Sequence, residues 1–202
     1  LVNPWIEDFA AYDYWLKPVG LLYVASLLKN LGVEVELLDL MNRHNLELRA
    51  YTKVPSDKYY GTGKFPYTEI KKPDTLSFIP RRYKRYGMPE ALFRDKLRKI
   101  RADGNIDAAF VTSTLTYWYL GYFDTIRIIK EELGVPIVFG GFFVRNQPRL
   151  AMKSGAHIFT KTDLSYLPTY LNNVLGWELP STNVDWFLDL SPAYELYDNI
   201  GY

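Results

Sequence analysis

The amino-acid sequence predicts an α/β domain built on a parallel sheet, and two observations lead to this prediction. Short apolar runs typical of buried strands alternate along the chain with longer stretches in which apolar residues recur at helical spacing. Glycine follows several of the helical stretches, at the position where a left-handed C-terminal cap is favoured. The order strand, helix, strand with short connections is typical of right-handed parallel crossovers.

The first crossover occupies the chain up to about Met41. Residues 1–4 resemble the end of a buried strand. Residues 20–31 place apolar side chains on one helical stripe, and Gly32 follows as a cap. Val33, Val35 and Leu37 then alternate as a second strand.

A long insertion follows the second strand, from about residue 42 to residue 105. Its first part, residues 42–80, is rich in Tyr, Lys, Pro and Gly and is predicted to be an ordered loop. Its second part, residues 89–102, carries apolar residues at helical spacing. A compact domain seldom contains so long a loop without a function or a partner.

The regular alternation resumes after the insertion. Strands are predicted at residues 106–111, 135–139 and 156–160, and helices at 119–133 and 164–175. About five parallel strands with helices on both faces make a flavodoxin-like doubly wound sheet over residues 1–175. Residues 176–202 contain several Pro and Asp residues and are predicted to be a linker.

Composition narrows the functional classes. The net charge of +1 creates no whole-chain field that attracts a polyanion, so a nucleic-acid partner is not expected. No apolar run approaches the roughly 20 residues of a membrane helix, and no signal segment opens the chain, so we expect a cytoplasmic protein without a membrane partner. The absence of Cys excludes disulfides, thiolate catalysis and a Cys-held iron–sulfur cluster within these residues.

The candidate site lies where the predicted strands end, because ligands of doubly wound sheets bind beyond the carboxyl ends of the strands. Asn3 and Pro4 end the first strand and lead into an aromatic loop that reaches Trp15. The third strand is followed by Ser113, Thr114 and Leu115, and the fourth by Gly140 and Gly141. We expect these three loops to line one crevice.

These residues resemble the cobalamin-binding domain family. Ser113-Thr114-Leu115 matches its Ser-x-Leu element, and Gly140-Gly141 matches its Gly-Gly element. Nearly the whole chain is similar to the cobalamin-type N-terminal domains of radical S-adenosylmethionine (radical SAM) proteins. The further matching segments are Asn3-Pro4, Asp13-Tyr14, Lys17-Pro18-Val19-Gly20-Leu21-Leu22-Tyr23, residues 61–65 and residues 79–87.

The resemblance implies a cobalamin site with an unusual feature. The cobalt-ligating pattern of the family, Asp-x-His-x-x-Gly, registers on Gly20 with Trp15 in place of Asp and Lys17 in place of His. A protonated Lys offers no lone pair, so cobalamin would be bound without a His ligand. The alternative is a domain of the same fold that binds no corrin and shapes a substrate entrance. The implied cofactor-binding residues are Asn3, Pro4, Asp13, Tyr14, Trp15, Lys17, Ser113, Thr114, Leu115, Gly140 and Gly141.

The resemblance also implies a larger enzyme. A radical SAM domain holds a 4Fe-4S cluster and S-adenosylmethionine through a three-cysteine loop, which this chain lacks. We therefore expect no catalytic centre within these residues, a radical SAM domain of the same polypeptide beyond residue 202, and a methyltransferase or related activity in the whole protein. The substrate is not predicted.

Other interpretations remain open at some positions. Residues 61–64 resemble the end of a phosphate-binding loop, but Lys58 stands where the first Gly is required. The basic run of residues 81–85 predicts a solvated surface or an interdomain contact, with RNA binding as a weaker alternative. His44, His157 and Asp39 are interpreted as structural. The aromatic loop before Lys17 is compatible with a corrin contact or with a domain interface.

Overall fold

A five-stranded parallel sheet forms the centre of the fold, and a three-stranded antiparallel sheet accompanies it. The computed structural model describes residues 1–15, 17–104, 106–185 and 188–197. The strands are β1 (Val2–Asn3), β2 (Ile6–Asp8), β3 (Leu38–Asp39), β4 (Tyr67–Glu69), β5 (Lys84–Tyr86), β6 (Ala109–Val111), β7 (Ile137–Phe139) and β8 (His157–Ile158). The helices are α1 (Val19–Asn30), α2 (Leu48–Tyr51), α3 (Glu90–Asp103), α4 (Tyr119–Glu132), α5 (Phe142–Asn146), α6 (Pro148–Ala151) and α7 (Leu167–Leu175).

The large sheet has the strand order β3-β1-β6-β7-β8, and all of its pairings are parallel. Counted along its own strands, this is the 2-1-3-4-5 order of flavodoxin-like folds. The predicted fold class, an α/β doubly wound sheet of five parallel strands, is therefore confirmed. The strand predicted at residues 33–37 is shifted, because β3 pairs with β1 only from Leu38 onward.

Both faces of the large sheet are buried, because successive side chains of a strand point to opposite sides. In β6, Ala109 and Val111 pack into a core with α3, α4 and α5. Phe110, between them, packs into a second core with α1 and α7. This two-sided burial explains why β6 and β7 are continuously apolar in sequence.

The antiparallel sheet has the order β2-β5-β4 and joins two distant parts of the chain. Strand β2 comes from the aromatic loop after β1, whereas β4 and β5 come from the chain between β3 and β6. Ile6 of β2 and Tyr67 of β4 both pair with Tyr86 of β5. The structure thus replaces part of the expected loop at residues 42–80 with a paired strand.

The segment of residues 188–197, which we call the strap, packs back on α1. Leu190 is buried with α1 and α7. The amide of Ala193 donates a hydrogen bond to the Leu22 carbonyl at 3.2 Å, and Lys29 forms an ion pair with Glu195 at 2.6 Å. The role of residues 176–202 as a linker stays a prediction, and residues 186–187 and 198–202 of that range lie outside the described part of the chain.

The close approach of α4 to the chain around β2 requires a glycine. A Cβ atom on Gly121, within α4, would lie 2.4 Å from the Trp5 carbonyl oxygen and 3.3 Å from the Glu7 Cγ. The helix therefore packs directly on the backbone that precedes β2. No side chain larger than hydrogen fits there without a shift of one of the two elements.

We predict that Gly121→Ala lowers the free energy of unfolding by about 1 to 3 kcal/mol, the usual cost of overpacking a core. The control is Gly20→Ala in α1, where an added Cβ meets nothing within 4 Å. That variant should be neutral or more stable by up to about 1 kcal/mol, because Ala favours a helix over Gly. Urea unfolding followed by circular dichroism measures both, and equal behaviour of the two variants would contradict the packing described.

Candidate functional site

Two of the predicted loops meet at the carboxyl ends of β6 and β7. The Ser113 hydroxyl donates a hydrogen bond to the Gly140 carbonyl at 2.7 Å, and the Phe142 amide donates to the Ser113 carbonyl at 2.9 Å. Gly141 has a φ of 101°, and a Cβ there would lie 2.3 Å from the Ser113 carbonyl oxygen. Ser113, Gly140 and Gly141 therefore come together, and the serine hydroxyl is used to hold the two loops in contact.

Thr114 and Leu115 follow Ser113 and are exposed on the same edge. The buried Tyr122 hydroxyl of α4 fixes their backbone, since it accepts a hydrogen bond from the Thr114 amide at 3.1 Å and donates one to the Leu115 carbonyl at 2.9 Å. Burial raises the pKa of Tyr122 to about 12. Tyr122 thus stays a neutral donor and positions this loop with its side chains toward solvent.

A cavity of about 290 Å³ opens beside these loops, on the face of the sheet covered by α1 and α7. Its walls are mostly apolar, with backbone of Gly20, Gly140 and Gly141, and with Arg145 and Lys161 among the lining residues. A larger cavity of about 750 Å³ lies at the opposite, amino-terminal edge of the strands. We take the smaller cavity as the candidate site, because doubly wound sheets bind ligands at the carboxyl edge.

The carboxyl ends of β1 and β3 are closed by a buried polar cluster. Asn3 donates to one Asp39 carboxylate oxygen at 2.6 Å, and the Met41 amide donates to the same oxygen at 2.9 Å. The Tyr197 hydroxyl of the strap donates to the other oxygen at 2.6 Å. Lys17 places its Nζ 4.8 Å from the centre of the Tyr197 ring. Asn3 and Lys17 are thus brought together with a strap residue that the sequence did not single out.

Burial raises the pKa of Asp39, and the hydrogen bond from Tyr197 is the largest of the effects that oppose this rise. An acid whose pKa is higher in the folded than in the unfolded state loses stabilisation as pH rises through that range. The free energy of unfolding therefore falls as the pH rises from the ordinary pKa of Asp to the raised pKa of Asp39. The hydrogen bonds that Asp39 accepts limit this loss.

The remaining predicted residues belong to a different part of the edge. Pro4 is buried directly after β1. Asp13 exchanges two backbone hydrogen bonds with Gly63, at 2.8 and 3.2 Å. Tyr14 and Trp15 are exposed, and the Trp15 indole donates to the Tyr60 carbonyl at 2.9 Å. The described contacts of Asp13 and Trp15 therefore run to the chain between β3 and β6, and not to Ser113 or Gly140.

Arg43 organises that neighbouring chain, although sequence reasoning did not identify it. Its guanidinium is buried, forms ion pairs with Asp13 at 3.2 Å and with Asp57, and donates to the Thr62 carbonyl at 3.0 Å. A Cβ on Gly63 would lie 2.5 Å from this guanidinium. Gly63 therefore allows the chain to wrap around Arg43, and the Gly61 carbonyl accepts a hydrogen bond from the same guanidinium at 3.1 Å.

Arg85 belongs to the basic run for which the sequence predicts a solvated surface or an interdomain contact, and it is not solvated. It is buried, and it forms ion pairs with Glu7 at 2.7 Å, Glu90 at 2.8 Å and Asp124. Its guanidinium carbon lies 4.4 Å from the centre of the Trp5 ring. Arg85 therefore connects the antiparallel sheet to α3 and α4, whereas Arg81 and Arg82 are exposed, and whether they form an interdomain contact stays a prediction.

Within the described residues, no group of three or more His, Cys, Asp or Glu side chains is arranged to hold a metal ion. His44 has its Nδ1 4.0 Å from Asp57, and burial lowers its pKa. His157 is exposed at the start of β8. In the same part of the chain, no helix is both long and apolar enough to cross a membrane.

The fold and the cavity define an α/β protein of the flavodoxin-like class with a ligand-sized opening at the carboxyl edge of its sheet. Comparison with protein-family models, curated proteins and solved structures finds no match to this chain.

We predict that Tyr197→Phe raises the pKa of Asp39 further and lowers the free energy of unfolding by about 1.5 to 3 kcal/mol, the usual worth of a hydrogen bond to a charged group. The decrease in the free energy of unfolding with rising pH should also be larger in Tyr197→Phe than in the original protein. Carbon-13 NMR titration of the Asp39 carboxyl and urea unfolding at several pH values measure these effects. Tyr194→Phe in the same strap is the control, and an unchanged Asp39 pKa in Tyr197→Phe would refute the assignment.

Proposed function

We propose that this chain is a cobalamin-binding-type domain that holds cobalamin without a His ligand beside a radical SAM domain of the same polypeptide. The observation that carries the proposal is the cavity at the carboxyl ends of β6, β7 and β8, next to the Ser113 and Gly140 loops. The resemblance of Ser113-Thr114-Leu115 and Gly140-Gly141 to cobalamin-binding elements supports it independently.

The cavity suits the nucleotide tail of cobalamin, which consists of a flat aromatic base, a ribose and a phosphate. Its walls include apolar side chains of Leu21, Val24 and Leu167, and glycine backbone leaves room for a flat group. Its volume of about 290 Å³ lies just below the range of ligand pockets, roughly 300 to 1,000 Å³. Arg145 and Lys161 supply positive charge for the phosphate.

The remaining edge residues favour binding without an axial imidazole. Lys17 stands where the family has His and is packed against the Tyr197 ring. His44, which follows β3, has its Nδ1 4.0 Å from Asp57. Bound cobalamin would supply methyl-transfer or rearrangement chemistry, and the residues of this chain would bind and orient it.

The proposal also includes a radical SAM domain that carries the remaining cofactors. A 4Fe-4S cluster and S-adenosylmethionine require a three-cysteine loop, and this chain contains no Cys. We therefore place them in the radical SAM domain, with a cytoplasmic location and a methyltransferase or related activity for the whole protein. The exposed side chains of Tyr14, Trp15, Leu115 and Tyr117 follow the carboxyl ends of β1 and β6 and offer apolar surface to a corrin or to that domain.

A second candidate function is a domain of the same fold that binds no corrin and shapes the substrate entrance of the radical SAM domain. The polar cluster at β1 and β3 favours it, because Tyr197 of the strap already covers Asn3 and Asp39. A purified full-length enzyme that contains no cobalamin and is active without it would support this candidate over the first.

We predict that the chain retains hydroxocobalamin in equilibrium dialysis at micromolar concentrations. Cobinamide, which has the corrin but lacks the nucleotide tail, should bind at least about tenfold more weakly, because the tail occupies the cavity and loses its contacts there. The visible spectrum of the bound cobalamin should lack the signature of an axial His. No retention of cobalamin at high protein concentration would contradict the proposal.

A pair of glycine variants locates the binding. Gly140→Val adds a side chain close to Phe159, which also lines the cavity, and should reduce cobalamin retention. Gly104→Val, where an added Cβ meets nothing within 4 Å, should leave it unchanged. Equal retention by both variants, with thermal unfolding of each unchanged, would show that cobalamin does not use this cavity.

A further inference from the structure

Strands β4 and β5 and their connection form a hairpin with a distinct chemical character, which we call the basic hairpin (residues 67–86). Glu69 pairs with Lys84 across the two strands, and the Ile70 amide donates to the Tyr83 carbonyl at 3.1 Å. The pairing of the two strands therefore extends to Ile70 and Tyr83, and we call the residues next to this pair the base of the hairpin. Residues 71–72 follow this pairing in the chain, and residues 81–82 precede it.

Positive charge is concentrated at this base. Five cationic side chains lie there, and none of them is fully buried: Lys71, Lys72, Arg81, Arg82 and Lys84. Two carboxylates oppose them, since Glu69 forms an ion pair with Arg82 at 2.8 Å and Asp74 lies 4.0 Å from Lys71. Residues 67–86 contain six Lys or Arg against two Asp or Glu, a net charge of +4, whereas the whole chain carries +1. Without Arg85, which is paired with carboxylates outside the hairpin, the net charge of the hairpin is +3.

Exposed aromatic rings accompany the cations. Phe78, in the connection between the strands, is 78% exposed, and Tyr67 of β4 is 49% exposed. Lys84 places its Nζ 4.0 Å from the centre of the Tyr67 ring, and Lys72 lies 5.7 Å from that of Phe9. Phe78 is thus the most exposed aromatic ring of the hairpin, whereas the Tyr67 and Phe9 rings already have a cation beside them.

The contacts that hold the antiparallel sheet on the rest of the protein are not made by the exposed cations of the hairpin. Arg85, also on β5, carries the contacts to α3 and α4 and is neutralised by its three carboxylates. The base of the hairpin is held by backbone pairing and by the donation from Lys72 to the Ile79 carbonyl. Lys71, Arg81 and Phe78 are exposed and take no part in this support, so they are available to a partner.

We infer that the basic hairpin binds single-stranded nucleic acid, with phosphates at Lys71 and Arg81 and a base stacked on Phe78. Positive side chains next to open aromatic faces are the combination that single strands require, because the backbone is anionic and every base has a face that stacks. An acidic peptide would use the cations but would leave the Phe78 ring in water. The site is independent of the cavity at the carboxyl edge and goes beyond the cobalamin proposal.

The test is fluorescence anisotropy of the 202-residue chain with labelled oligo(dT) and oligo(rU) of about 15 nucleotides, at about 50 mM and about 200 mM salt. We expect binding that weakens steeply with salt, because each phosphate contact releases a counterion. The double variant Lys71→Glu with Arg81→Glu should bind at least about tenfold more weakly. Lys99→Glu with Lys153→Glu, which makes the same change of charge outside the hairpin, is the matched control and should retain most of the affinity.

A second pair of variants tests stacking. Phe78→Ala should weaken binding about fivefold or more, whereas Leu46→Ala, at a side chain that is 80% exposed elsewhere on the surface, should not. Absence of binding at the lower salt, or equal loss in the two charge variants, would overturn the inference. Competition by polyglutamate as effective as by oligonucleotide, with no effect of Phe78→Ala, would also overturn it and would indicate an acidic protein partner.

Discussion

The guanidinium of Arg85 contacts more secondary-structure elements than any other side chain described above. It lies against the Trp5 ring and pairs with carboxylates from β2, α3 and α4, so that the antiparallel sheet is held on the helices that cover the parallel sheet. Burial raises the pKa of Glu7, and the charge of Arg85 is the largest effect that opposes the rise. Removal of the guanidinium would leave Glu7 as a buried carboxylate without its cation, which is a costly arrangement.

The parallel sheet was predictable from sequence because each of its central strands is apolar on both faces and each helix has its own apolar stripe. The antiparallel sheet was not, since its strands have only three residues and β2 is about eighty residues from its partner. The meeting of Ser113 with Gly140 followed from the rule that carboxyl ends of parallel strands share an edge. The contacts of Arg43 and Tyr197 depend on tertiary approach between distant segments, and no local pattern marks them.

The carboxyl edge is divided into two halves with different properties. At β6 and β7 the loops hold each other through Ser113 and leave a cavity beside them. At β1 and β3 the edge is filled by Asn3, Asp39 and Tyr197. A ligand that uses the first half alone needs no rearrangement, whereas a ring that extends over both halves has to meet Lys17 and the strap. Cobalamin contains such a ring, so the first candidate function brings a ligand to Lys17 and the strap, whereas a domain that binds no corrin does not.

The hydrogen bond between Tyr197 and Asp39 joins residues that are 158 positions apart in sequence. Closing a loop between two such distant residues costs conformational entropy. Most of this cost is already met when the strands from β1 to β8 assemble into the parallel sheet, because the sheet brings the two ends of the chain together. The strap is therefore expected to dock late in folding and to detach first in native-state fluctuations, because it adds few buried groups of its own. Amide hydrogen exchange in residues 188–197 would then report an opening far more frequent than that of β6 or β7, and access to the β1 end of the edge would be set by that local equilibrium.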